Sequence, residues 1–258
     1  MKELKSSVHK TFAILEHFTV QKSEWGVTEL ATAIGSNKST VYRFLSDLGQ
    51  LGVVYKNPLT DRYSLGLKIF ELGSRVQLKS ALIDKTHPVL IEVAKRITET
   101  VHIAILKNSQ IFHIDKVESP QGLKLSSHIG SFGPAYSTAL GKVLLAFLPE
   151  AEQESALQII FEEEEPTAFT KFTITKPNVL RNELTKIREK GYALDREESE
   201  IGLICVGIPI FNQNNEVVAS LSASGPANRF EEEKVASYVG ILQQGADAIQ
   251  QQIGHFKP

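Results

Sequence analysis

The stretch TELATAIGSNKSTVYRFLSDLGQL, Thr28–Leu51, decides how this chain is read. Leu30, Ala31 and Ile34 fall on one side of a short helix. Gly35 follows, where a helix can close in a left-handed turn that costs glycine little. Ser36 or Asn37 can then accept a hydrogen bond from free amides and open a second helix. In that helix Val41, Phe44, Leu45 and Leu48 stand at i, i+3, i+4 and i+7, an apolar stripe. Lys38, Ser39, Thr40, Tyr42 and Arg43 occupy the opposite side. Two short helices, a tight turn and a polar, cationic start to the second are the pattern of a helix-turn-helix. Such a helix fits the major groove of DNA with its first turns against the base edges. The plainer alternative is a helical hairpin whose Lys and Arg are only solvated.

The flanking sequence favours the first reading. Val53, Val54 and Tyr55 suggest a strand, Asn57-Pro58 begins a turn running through Thr60 and Asp61, and Arg62, Tyr63 and Leu65 suggest the returning strand. A hairpin directly after the second helix is a wing. It would offer Lys56 and Arg62 to phosphates or the minor groove, contacts that position a protein without reading sequence. An earlier helix, with Val8, Phe12, Leu15 and Phe18 expected inward, completes a winged helix-turn-helix.

Composition sets the outer limits. The chain has 258 residues, 42% hydrophobic and 22% charged, enough for two domains of an ordinary globular protein. Net charge is −2, but Met1–Ser64 holds eight Lys and Arg against six Asp and Glu, so the basic excess sits with the helix-turn-helix. One cysteine, Cys205, excludes an intrachain disulfide and any Cys-based zinc cluster. MKELKSSVHK has no apolar core after its basic residues, and no run is long enough to span a membrane, so a cytoplasmic protein is expected. The acidic run Glu162–Glu165, before Pro166, is expected as an exposed loop.

Beyond the wing, residues 66–80 read as a linker helix whose apolar Leu67, Phe70, Leu72 and Val76 would pack on a partner subunit. A helix over Leu82–Thr98 is expected to be interrupted by Pro88. Val101–Leu106 and Ile111–Val117 read as strands joined at Lys107-Asn108-Ser109, with a third strand over Leu123–His128. Thr138–Phe147 and Leu180–Lys190 read as helices, the second ending at Gly191. Leu203–Phe211 and Val217–Ala223 read as paired strands, and Phe230–Ile253 as a closing helix. The fold class is α+β, divided into residues 1–65, the linker over 66–80, and a sensor-like domain over 81–258.

Four strings carry a resemblance: NKSTVYRFL at 37–45, HIGSFGPAYSTALGKVLLAF at 128–147, GYALDREESEIGLICVGIPI at 191–210 and VVASLSASGPANRF at 217–230. Together they resemble the IclR family of bacterial transcription regulators, in the family's order and over nearly the whole chain. The resemblance implies a C-terminal GAF-like effector-binding domain, binding to double-stranded operator DNA as a homodimer or homotetramer, and response to a small organic acid or aromatic effector. It also implies a pocket formed by Ala139, Leu140, Asp195, Leu203, Cys205, Ser222 and Ser224.

Residue chemistry points to the same place. An acid needs hydrogen-bond donors and an apolar wall. Ser222 and Ser224 alternate along one strand and so share a face. Amides near Ser137–Gly141 open a helix and suit an anion. Ala139-Leu140 and Gly207 depart from frequent family residues, so the cavity's shape is not transferred. His102, His113 and His128 can converge across strands, but no ligand-like spacing supports a metal, and no cofactor is expected. The rival readings are an enzyme using Cys205 or Ser137 as nucleophile, without a GxSxG elbow or a neighbouring His, and a ligand-free constitutive repressor.

Overall fold

The computed structural model describes residues 6–76, 82–122, 125–163 and 165–256. It divides into two compact units, Met1–Gln77 and Leu78–Pro258.

The first unit opens with α1, Ser7–Glu16, capped by the Ser6 hydroxyl on the His9 amide. Ile14 and Phe18, four residues apart, take its inward stripe. Val8 and Phe12, expected inside, are 62% and 60% exposed, because the small core lies on the other side of the helix. α2, Val27–Ala33, buries Leu30 and Ala31. Gly35 then turns with φ 64°, as the sequence requires. Asn37, rather than Ser36, caps α3, Lys38–Gln50, accepting the Thr40 amide at 2.8 Å. Val41, Leu45 and Leu48 are buried beneath it.

The wing pairs β1, Val54–Lys56, with β2, Tyr63–Leu65. The Asn57 side chain accepts the Leu59 amide at the turn, and the backbone of Trp25 pairs with Tyr63 on the far side. The expected linker helix begins as α4, Leu67–Gly73, which the contacts group with the first unit. Its continuation over residues 77–80 lies outside the described residues. Leu67 and Phe70 are 86% and 75% exposed on this chain.

The second unit is built on a six-stranded antiparallel sheet. β3, Thr100–Lys107, and β4, Gln110–Val117, meet at Asn108 and Ser109, both at positive φ, the turn that matches a hairpin's twist. The next strand is β5, Phe132–Pro134, and not 123–128 as expected. Residues 125–128 form an irregular segment, and Leu123 and Lys124 lie outside the described residues. β6, Ala193–Arg196, too short to show a period, escaped the sequence reading. β7, Leu203–Phe211, and β8, Val217–Pro226, form the long central hairpin. The sheet order is β5-β4-β3-β8-β7-β6.

Strict alternation gives the sheet two unlike faces. Val101, Ile103, Val206, Ile208, Leu221 and Ala223 are fully buried with residues of α5, Asp84–Ile97, and α9, Glu232–Ile253. Burying each large aliphatic side chain contributes about 1.5–3 kcal/mol before entropy. α5 runs on through Pro88 instead of breaking there, since near a helix start few intrahelical amides are lost. The opposite face carries the polar alternates, Thr100, His102, Cys205, Ser220, Ser222 and Ser224. α6, Ala139–Phe147, covers part of it, backed by α7, Glu150–Gln158, and α8, Pro177–Lys190.

Two glycines set how closely α6 approaches. A Cβ at Gly207 would stand 2.6 Å from the Ala139 carbonyl oxygen, and one at Gly141 would stand 2.2 Å from Ala135 Cα. The acidic run is exposed at Glu162, Glu163 and Glu165, though its start belongs to a π-helical turn, Ile159–Glu163, and not to a loop; Glu164 lies outside the described residues.

Candidate functional site

On α3 the apolar stripe holds one side against α2, so Lys38, Ser39, Tyr42 and Arg43 stand exposed, with Ser36 and Thr40 partly exposed at the helix start. Lys38 and Arg43 have no carboxylate partner among the described residues. The wing differs. Lys56 lies 2.7 Å from Asp61, and that hydrogen bond raises its pKa. Arg62 lies 2.7 Å from the Glu29 carboxylate and donates to the Glu24 carbonyl at 3.2 Å. Its guanidinium therefore ties the wing to α2, a role the sequence did not suggest. Lys38, Tyr42, Lys56 and Arg62 together border one open cleft.

In the second unit a cavity of about 340 Å³ lies over the polar face of the sheet, beside the start of α6. Ala139, Leu140, Asp195, Leu203, Cys205, Ser222 and Ser224 all line it. Register explains the grouping. Asp195, Cys205, Ser224 and Thr100 form one row across four strands, and Gly207, Ser222 and His102 form the next. Thr138 caps α6 by accepting the Gly141 amide at 3.1 Å. The amides of Ala139 and Leu140 precede that bond and have no intrahelical acceptor.

Asp195 is both strand residue and turn anchor. Its carboxylate accepts the Glu198 amide at 2.7 Å and the Ser199 hydroxyl. Burial raises its pKa, against those hydrogen bonds and Lys142. Behind it Lys142 of α6, 1% exposed, donates to the Leu194 carbonyl at 2.6 Å and to the Glu198 carboxylate. Burial pushes Glu198 up to about 7 even with Lys142 beside it. The Thr170 and Thr173 hydroxyls hold the same turn through the Glu197 and Glu198 carbonyls, each at 2.6 Å.

The three histidines do converge: His102, His113 and His128 all line the cavity. Among the described residues, however, no group of His, Cys, Asp or Glu has the geometry of a metal site. Ser127, Ser131 and Phe132, which no motif singled out, also line the cavity from the irregular stretch before β5 and from β5 itself. Only the register of β3, β4 and β5 could have found them. Gly207 does not enlarge the space, because Ala139 fills it.

Neither suggested nucleophile is activated. Burial and the nearby Asp195 push the Cys205 thiol up, opposite to what a thiolate needs. The Ser137 hydroxyl is buried with no partner among the described residues, and so without a base.

A winged helix-turn-helix with exposed cations on α3, carried on the same chain as a unit that holds a cavity, is the composition of a DNA-binding transcriptional regulator. The chain belongs to the IclR family of bacterial transcriptional regulators. The IclR helix-turn-helix domain matches residues 7–58, and the bacterial transcriptional regulator IclR C-terminal model matches residues 76–251. The chain is 40% identical to the HTH-type transcriptional regulator KdgR of Escherichia coli over 250 residues, 97% of this chain and 93% of that protein. It superposes on the crystal structure of the Thermotoga maritima IclR with a TM-score of 0.76 at 38% identity, covering 96% of this chain and 98% of that one. An IclR homologue from Microbacterium hydrocarbonoxydans, complexed with 4-hydroxybenzoate, superposes with a TM-score of 0.82 over 96% of this chain and 99% of that one. At 20% identity that likeness shows the fold alone. No helix among the described residues is long and apolar enough to cross a membrane.

Proposed function

We propose that this regulator controls a catabolic operon, reading a pseudo-palindromic operator as a homodimer or homotetramer and responding to a small carboxylate or aromatic acid in the cavity of its second unit. The observation that carries the effector half is the cavity itself: hydroxyls on a sheet face, opposed by the free amides of α6. Those amides and the helix dipole favour an anion. Leu140 and Leu203 supply the apolar wall.

Ser36, Asn37, Lys38, Ser39, Thr40, Tyr42 and Arg43 meet the operator in the major groove, with Lys56 and Arg62 on the wing toward phosphates. The apolar side of α4, uncovered on this chain, supports two-fold assembly, which places half-sites about one helical turn apart or a multiple of it. Effector binding changes operator affinity by favouring one arrangement of the assembly, a coupling typically worth about 1–3 kcal/mol.

The test is an operator titration by fluorescence anisotropy, on a site first obtained by selection from genomic DNA, with and without acids found in a thermal-shift screen of sugar, keto and aromatic acids. A stabilising acid should change operator affinity at fixed salt. A stabilising acid that leaves operator affinity unchanged would detach the cavity from regulation.

A further inference from the structure

Leu59 stands at the tip of the wing and is 93% exposed, the highest value among the large apolar side chains described. A leucine in solvent is ordinary by itself. Its setting is not. The loop between β1 and β2 holds Asn57, Pro58, Leu59, Thr60 and Asp61, and its one charge is already matched, because Asp61 lies 2.7 Å from Lys56. Arg62, next along, is turned to Glu29. The tip therefore has no free cation for a phosphate. What it presents is the exposed dipeptide Pro58-Leu59.

The turn is also built in advance. The Asn57 side chain accepts the Leu59 amide at 2.9 Å and the Thr60 amide at 3.4 Å. The Asp61 amide donates to the Asn57 carbonyl at 3.0 Å, and the Asn57 amide to the Arg62 carbonyl at 2.8 Å. Pro58 fixes its own φ. Leu59 is thus held out in water by a loop whose ordering is complete before any contact, which favours binding. Holding a leucine there contributes nothing to the fold.

The tip lies on the same side as the reading helix. Lys38 and Tyr42 of α3 border one cleft with Lys56, Thr60 and Asp61 of the wing. A duplex with α3 in its major groove therefore brings an adjacent minor groove against the wing. Proline and leucine are among the side chains that proteins wedge between base steps from the minor groove, opening the stack.

We infer that Pro58-Leu59 is an apolar wedge that enters the minor groove beside the half-site read by α3, so that operator choice depends partly on how easily one base step there unstacks. This rests on α3 meeting the major groove. It goes further in giving the wing tip a selective contact, where the wing's cations only position the protein. Pyrimidine–purine steps such as TA and CA open most readily and are favoured at that place, and stiff A-tracts are disfavoured.

The test uses the full chain and the operator obtained by genomic selection, with fluorescence anisotropy at several salt concentrations. Leu59→Ser should weaken operator binding at least tenfold, about 1.4 kcal/mol. Its melting temperature should match wild type, and so should the slope of log affinity against log salt, since no phosphate contact is lost. Leu59→Met should restore most of the affinity. 2-Aminopurine scanned through the flank should brighten at one step when wild type binds, and stay dark with Leu59→Ser. Replacing that step by AA should weaken wild type and leave Leu59→Ser unaffected.

Three results would overturn the wedge: wild-type affinity in Leu59→Ser, a loss accompanied by a shallower salt slope, or an assembly that Leu59→Ser weakens in sedimentation. The last would make Leu59 a contact between copies of the chain. Arg43→Ala, measured alongside, separates this inference from the reading beneath it. Loss in Arg43→Ala with none in Leu59→Ser sinks the wedge and leaves α3 in the major groove. Loss in neither variant removes both.

Discussion

The two units hold their polar groups in different surroundings, the first in solvent and the second in its interior. In the first, Lys38, Tyr42 and Arg43 stand in solvent on a helix whose other side is packed, and the fold beneath is indifferent to them. In the second, Lys142, Glu198, Asp195, His102 and Ser222 are buried, and the fold depends on how they are satisfied. Substitutions in the reader should therefore change binding and spare stability. Substitutions in the sensor should often change both. The difference follows from dielectric: a charge in water is cheap to remove, and one in the interior leaves its partner stranded.

The largest expected effect tests the sensor half of that contrast. Lys142→Ala leaves the Glu198 carboxylate buried beside Asp195 without its cation, and should cost about 3–5 kcal/mol in urea unfolding of the second unit. Lys142→Met with Glu198→Leu should recover most of that loss. A single variant as stable as wild type would mean that the pair is not buried as described.

Next comes the pH profile. His102 and His113 have folded pKa values below the free value of about 6.5, so the unfolded chain binds more protons between that point and about 4, the value for His113. The histidines' contribution to stability is full above pH 6.5 and falls with acidification, by about 3 kcal/mol for His113 at pH 4. Glu198 and Asp195 have raised values and act in the opposite direction, with Glu198 losing stability as pH rises toward about 7. In His102→Leu with His113→Leu the sign of the slope between about pH 5 and 6.5 should reverse. Thermal melts across that range decide it, and an unchanged slope would contradict neutral, buried rings.

On the reader side, Arg43→Ala should cost about 1–3 kcal/mol of operator affinity if Arg43 pairs with a guanine, with no change in melting temperature. Equal operator affinity in both proteins at fixed salt removes Arg43 from the interface. In the same range, Ser222→Ala with Ser224→Ala should raise the effector concentration for half-response at least tenfold, since each hydrogen bond lost is worth about 0.5–1.5 kcal/mol and leaves a ligand atom unpaired. Apo-operator binding should stay as it was.

The smallest effect belongs to Arg62. Its pair with Glu29 is well exposed, so Arg62→Ala should lower stability by less than about 1 kcal/mol. Its operator affinity should nevertheless drop as the wing loosens from α2. A large loss of stability there would blur the contrast between the two units.

Much of this was legible in the sequence where one period governs a segment. The stripe Val41, Leu45, Leu48 and the turn at Gly35 determine α3 locally. The alternation of Ser220, Ser222 and Ser224 with Leu221 and Ala223 announces a two-faced strand. What stayed hidden depends on distant pairing. The convergence of His102 and His113 was open to the sequence, but the irregularity between Ile103 and Ala104 in the register of β3 and β4 was not. Val8 and Phe12 look inward by period, yet the small core engages Ile14 beside the expected Phe18. Lys142 stands within an otherwise apolar helix, a setting that signals a buried partner. The partner, Glu198, lies 56 residues away and no spacing finds it.

The contact between Gly207 and Ala139 bears on how such a protein can be retuned as a biosensor. Any side chain at 207 drives the start of α6 off the sheet, and with it the amides to which we assign the acid group. A library seeking new effectors would therefore keep 207 as glycine and vary the walls, Leu125, Phe132 and Leu203. Those residues line the same space. The glycine makes the α6 end of the cavity a constant of the scaffold and leaves the rest of its lining open to selection.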